Sequence, residues 1–135
     1  GAAVGVEQLK KIDELQGHRK MIWDFYQKEF DNLSWVEKPA EPNADETHSY
    51  FTYMIVLKEK RDELAKYLFE NNIYTTLRYH PLHMNDLYQS DKVLPNTEEL
   101  NERALSLPIH PNLSMEDAQY VFEKIKTFGD ENQIS

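Results

Sequence analysis

His48-Ser49-Tyr50-Phe51-Thr52-Tyr53-Met54-Ile55-Val56-Leu57 has the two-residue period of an extended chain. Phe51, Tyr53, Ile55 and Leu57 fall on one side; Tyr50, Thr52, Met54 and Val56 fall on the other. Both sides are largely apolar. This predicts a central strand over 48–57 that is covered on both faces.

On its N-terminal side lies a polar, proline-containing loop, Lys38 to Asp45, and before that a short edge strand over Ser34 to Glu37. Further back, Leu9, Ile12, Leu15, Ile22, Tyr26 and Phe30 keep to three- and four-residue spacing. That predicts one long helix over 4–32. Gly17 interrupts it, either at a bend or under a close neighbour, and Asn32 is placed to end it in a left-handed conformation.

On its C-terminal side, Arg61 to Asn71 reads as a helix with Leu64, Leu68 and Tyr67 turned inward. Asn72 then occupies the left-handed closing position. Ile73 to Tyr79 reads as a second strand, His80 to Leu94 as irregular, Thr97 to Leu105 as a helix capped by Asn96, and Ser106-Leu107 as a short strand. Ser114 and Asp117 have capping-box spacing, with Leu113 and Ala118 at the staple positions. The helix they open carries Met115, Ala118, Val121, Phe122 and Ile125 on one face and is expected to close at Gly129, with 130–135 a frayed tail. Together these elements predict a small α+β domain over 1–129, an antiparallel or mixed sheet packed with helices.

Composition excludes several classes. The 135 residues carry a net charge of -9, so no basic stripe is available to replace phosphate counterions, and nucleic acid is not an expected partner. Mean hydropathy is -0.73 and no apolar run approaches a membrane span. The N-terminal residues show no basic-then-apolar signal peptide. Without cysteine there are no disulfides, thiolate metal sites or cysteine nucleophiles, which is compatible with a cytoplasmic location. The four glycines, Gly1, Gly5, Gly17 and Gly129, are too dispersed for a phosphate-binding loop.

The densest chemistry is in Leu77-Arg78-Tyr79-His80-Pro81-Leu82-His83, where a strand gives way to a loop. Arg78 offers a planar fork for carboxylate or phosphate; His80 and His83 can bond a ligand or move protons. Four readings stay open here: a metal pair completed by His48 or His110; a self-contained acid–base site; residues that merely satisfy loop backbone and nearby acids; and a ligand-facing edge whose other walls come from elsewhere. His110, held between Pro108 and Pro111, and His48, opening the strand, read as structural. Tyr50, Phe51 and Tyr53 read as core packing.

Taken in order, these segments resemble the DegT/StrS-type nucleotide-sugar aminotransferases. Ala2-Ala3-Val4-Gly5-Val6-Glu7-Gln8-Leu9 is similar to the family's "AAxGxxQL" helix start, and His18-Arg19 fits the arginine later in that helix. His48-Ser49-Tyr50 is similar to "HxY", and Lys60-Arg61-Asp62-Glu63-Leu64 to "RdeL". Asn72-Ile73-Tyr74-Thr75-Thr76 is similar to "GIxt", with asparagine for glycine, and Tyr79-His80-Pro81-Leu82-His83 to "HYxPlH". Leu105-Ser106-Leu107-Pro108-Ile109-His110-Pro111 is similar to "LSLPihP", and Leu113-Ser114 with Asp117 to "LsxedxxxV". Each motif is short, and their shared order over Ala2 to Phe128 is what makes the resemblance specific.

The resemblance implies the C-terminal small domain of a fold-type-I, pyridoxal-phosphate enzyme that moves an amino group, commonly from glutamate, onto a nucleotide-linked keto sugar. It implies that the Schiff-base lysine and the acid that holds the pyridine nitrogen belong to a large domain of the same polypeptide. The intact enzyme would be a homodimer. No catalytic and no cofactor-binding residue is then expected in this chain, which alone would be inactive. Arg78, Tyr79, His80 and His83 would border the substrate cleft, with Arg78, where the family often has histidine, suited to an anionic part of the substrate. The alternative is a stand-alone, non-catalytic α+β binding module.

Overall fold

The computed structural model describes residues 1–77 and 80–134. The helix expected over 4–32 is two: α1 (Ala2–Leu9) and α2 (Ile12–Glu29), followed by a tight turn, Phe30–Asn32. The interruption falls at Lys11 (φ -105°, ψ 2°), not at Gly17, around which no other described residue comes within 4 Å of a built β-carbon. Asn32 belongs to the tight turn and keeps a negative φ.

Strand β1 (Val36–Glu37) is the expected edge strand, trimmed to two residues. Strand β2 is central as expected but spans only Tyr53–Leu57. Tyr50 is left-handed at φ 48°, which breaks the extended run. His48 and Tyr50 instead lay their rings against Trp23, at 4.7 and 5.5 Å between centroids. Phe51 is exposed rather than in the core.

Helix α3 (Arg61–Glu70) buries Leu64 and Leu68 fully, each contributing roughly 1.5–3 kcal/mol of apolar burial. Asn72 follows at φ 61°, in the left-handed conformation expected of it. The strand expected over 73–79 reduces, among the described residues, to one bridge. Thr76 and Ser106 exchange both backbone hydrogen bonds, at 3.1 and 2.9 Å. Helix α4 (Pro95–Arg103) starts two residues before the expected position, because Pro95 takes the first helical position where its missing N–H costs nothing. Strand β3 (Ala104–Leu107) is correspondingly longer than expected.

The sheet order is β1-β2-β3, all antiparallel, with Tyr53 opposite Leu107 and Ile55 opposite Leu105. Since Thr76 is also antiparallel to β3, its segment runs in the direction of β2. The connection through α3 therefore crosses over β3. The domain is α+β. The sheet face bearing Tyr53, Ile55, Leu57, Leu105 and Leu107 is fully covered; on the opposite face Met54 and Val56 are only half-buried.

Helix α5 (Met115–Glu131) opens with the expected capping box: Ser114 Oγ accepts the Asp117 N–H at 3.0 Å and the Asp117 carboxylate accepts the Ser114 N–H. The helix runs through Gly129 rather than ending there, and Ile134 packs against the core. Rings join the layers: Tyr26 on Tyr53 at 4.9 Å, Phe30 on Phe122 at 5.4 Å and Tyr67 on Phe128 at 5.4 Å. Gln27 ties α2 to the sheet, accepting from Tyr53 Oη at 3.1 Å and donating to the Pro39 carbonyl at 3.0 Å.

Candidate functional site

Arg78 and Tyr79 lie outside the described residues. His80, next along the chain, is exposed. Pro81 (φ -56°) leads into the tight turn Leu82–Met84, which turns His83 inward. The His83 side chain is only 9% exposed, and its Nε2 stands 2.9 Å from Glu98 Oε1 on α4. The same Glu98 oxygen accepts the Leu94 N–H at 2.9 Å. The Leu94 amide first, and His83 second, hold the Glu98 carboxyl below the usual carboxylate range. Glu98 escaped the sequence reading. Its place four residues after Leu94, in the first turn of the helix that Pro95 opens, signals a cap. Its pairing with His83 is long-range and leaves no local signature.

Helix α4 is itself anchored. Arg61, a buried guanidinium, donates to the carbonyls of Asn101 and Ala104 at 2.9 and 3.1 Å. Arg103 Nε donates to the Leu57 carbonyl at 2.7 Å. The core thus fixes Glu98, and Glu98 fixes His83.

The four histidines of the metal reading are spread over different surroundings. His48 packs on Trp23, its Nδ1 accepting the Tyr50 N–H at 3.0 Å; His83 meets Glu98; His110 is exposed at a cleft. Among the described residues no group of three or more His, Asp or Glu side chains is arranged to hold a metal ion.

Two concavities matter. One, of about 460 Å³, lies between the Asn72–Thr76 segment, the end of β3 and the start of α5. Tyr74, Thr76, Ser106, His110, Asp117 and Tyr120 give it hydroxyl, imidazole and carboxylate groups. The other, of about 420 Å³, runs along α1 and α2 and is lined by Leu9, Ile12, Leu15, Gln16 and Arg19. Here Gln16 Oε1 and Arg19 Nε are hidden from solvent yet have no hydrogen-bond partner among the described residues. Helix α1 buries none of its residues, and Val4, Val6, Leu9 and Ile12 are exposed.

The family model for DegT/DnrJ/EryC1/StrS aminotransferases matches residues 1–126. The chain belongs to this aminotransferase family. Within the family it is 35% identical over 133 residues to a dTDP-4-dehydro-2,3,6-trideoxy-D-glucose 4-aminotransferase of Saccharopolyspora spinosa, covering 98% of this chain and 33% of that protein. It is 33% identical to a GDP-perosamine synthase of Escherichia coli O157:H7, covering 94% of this chain and 35% of the relative. The crystal structure of the aminotransferase TlmJ from Streptoalloteichus hindustanus superposes with a TM-score of 0.90 at 31% identity, over 93% of this chain and 35% of that one. The chain therefore spans about a third of the length of these family members.

Pyridoxal phosphate, the cofactor this family implies, does not fit either concavity. No lysine lines them, and the only glycine they contain, Gly5, lies on the exposed helix α1. Gly129, the one buried glycine, is covered by Trp35.

Proposed function

We propose that the chain is the C-terminal small domain of a pyridoxal-phosphate-dependent aminotransferase acting on a nucleotide-linked keto sugar, with glutamate as amino donor. The Schiff-base lysine and the phosphate site belong to a large domain of the same polypeptide, and the intact enzyme is a cytoplasmic homodimer. The observation that carries this reading is the α1–α2 face. An eight-residue helix with nothing buried is not stable in water by itself. The exposed apolar side chains of Val4, Val6, Leu9 and Ile12 match a surface that a further domain covers.

In that assembly this domain binds and orients rather than reacts. Arg78, Tyr79 and His80 border the substrate cleft, with His83 behind them against Glu98. The Arg78 guanidinium pairs with an anionic part of the sugar nucleotide, so the keto carbon is held in register for chemistry supplied by the other domain. In the full-length aminotransferase, Arg78→Ala should raise KM for the sugar nucleotide about tenfold, the scale of one charged hydrogen bond, with a smaller effect on the amino donor. Equal loss for both substrates, or none, would remove Arg78 from the substrate contacts.

A further inference from the structure

We infer that Glu98 is a positioning residue: one of its carboxylate oxygens clasps both stems of the 83–94 loop and so sets where His83, at the end of the His80–His83 segment, stands. At one stem His83 Nε2 lies 2.9 Å from Glu98 Oε1; at the other the Leu94 N–H donates to the same atom, also at 2.9 Å. Between the stems the loop is held by short-range bonds alone among those described. The Met84 N–H reaches the Pro81 carbonyl, the Tyr88 N–H the Asn85 carbonyl and the Lys92 N–H the Ser90 hydroxyl. Pro81, just ahead of the loop, is buried and the His83 side chain is 9% exposed, but no residue of 84–94 is buried and Leu87 is 80% exposed, so apolar packing does not fix the span between the stems. Its attachment passes through Glu98 to α4 and from there, through Arg61 and Arg103, to the sheet. Hydrogen bonds to an ionised acceptor are stronger than neutral ones, which suits a single carboxylate to this task.

The importance of this clasp for substrate rests on the function proposed above; the clasp itself does not. The test is amide hydrogen exchange on the chain and on its Glu98→Ala and Glu98→Gln variants. Glu98→Ala should accelerate exchange at Leu94 about tenfold and loosen Met84 and Asn85, with Ile55 and Leu105 unchanged. Glu98→Gln retains an acceptor without charge and should fall between. Wild-type rates at Leu94 in Glu98→Ala, or equal acceleration at Ile55 and Leu105, would overturn the clasp. In the full-length aminotransferase, Glu98→Ala should raise KM for the sugar substrate more than it lowers kcat, and Glu98→Gln should partly restore it. If exchange changes as expected while KM does not, the clasp stands and the placement of His80–His83 against substrate falls.

Discussion

The indole of Trp35 lies across the backbone of Gly129. A β-carbon at that glycine would sit 2.5 Å from Trp35 Cζ2. Trp35 is 4% exposed and cannot swing clear. Gly129 therefore keeps the last turns of α5 in contact with the β1 side of the domain. Gly129→Ala should destabilise the chain by about 1–3 kcal/mol in urea unfolding, despite alanine's better helix propensity. Gly17→Ala, with open space around it, should do the opposite and stabilise by up to about 1 kcal/mol. A neutral Gly129→Ala, or a destabilising Gly17→Ala, would contradict this assignment of the two glycines.

The capping box at Ser114 should be measurable as well. Ser114→Ala strips the acceptor from the Asp117 N–H and should cost about 1 kcal/mol of stability, read from the same unfolding midpoints. An unchanged midpoint would mean that water replaces the cap without loss.

Much of this fold is legible because local chemistry and final structure agree. Asn72 is left-handed at a helix end, and Ser114 caps α5, each for reasons contained within a few residues. The misreadings have long-range causes. Nothing near Gly129 in sequence announces Trp35, so its role reads as a helix stop. The strand expected from His48 shortens to Tyr53 because β3 supplies only four residues to pair with β2, and the rings of His48 and Tyr50 find Trp23 instead. Within the candidate site, the pairing of His83 with Glu98 is not legible, since fifteen residues separate them.

Two buried phenols predict an alkaline limit. Burial first, with nearby Asp117 for Tyr26 and Glu41 for Tyr53, pushes both well above the usual phenol value of 10.0. The folded state holds them neutral while the unfolded chain ionises near the ordinary value. Their contribution is thus complete below about pH 10 and is lost as pH climbs toward their raised values. In a spectrophotometric titration, Tyr26 and Tyr53 should ionise only as the helical signal disappears. Reversible titration of all eight tyrosines in an intact fold would contradict their burial.

The exposed apolar side chains of α1 and early α2 should serve association, not the stability of this domain. Leu9→Ser combined with Ile12→Ser should leave the unfolding free energy within about 0.5 kcal/mol of the parent, because both residues are exposed. The same change should reduce self-association of the chain in sedimentation experiments, since a large apolar patch left open tends to find a partner. A large loss of stability would show that the face belongs to the core of this domain.

In the proposed function this domain orients substrate for reactive groups carried on another domain. Titrating the purified chain with pyridoxal phosphate, followed by borohydride reduction, mass measurement and an assay with glutamate and a nucleotide-linked keto sugar, tests it most directly. Neither a stoichiometric lysine adduct nor an amino sugar is expected; a one-to-one adduct on a single lysine together with turnover would place the reactive groups on this domain instead.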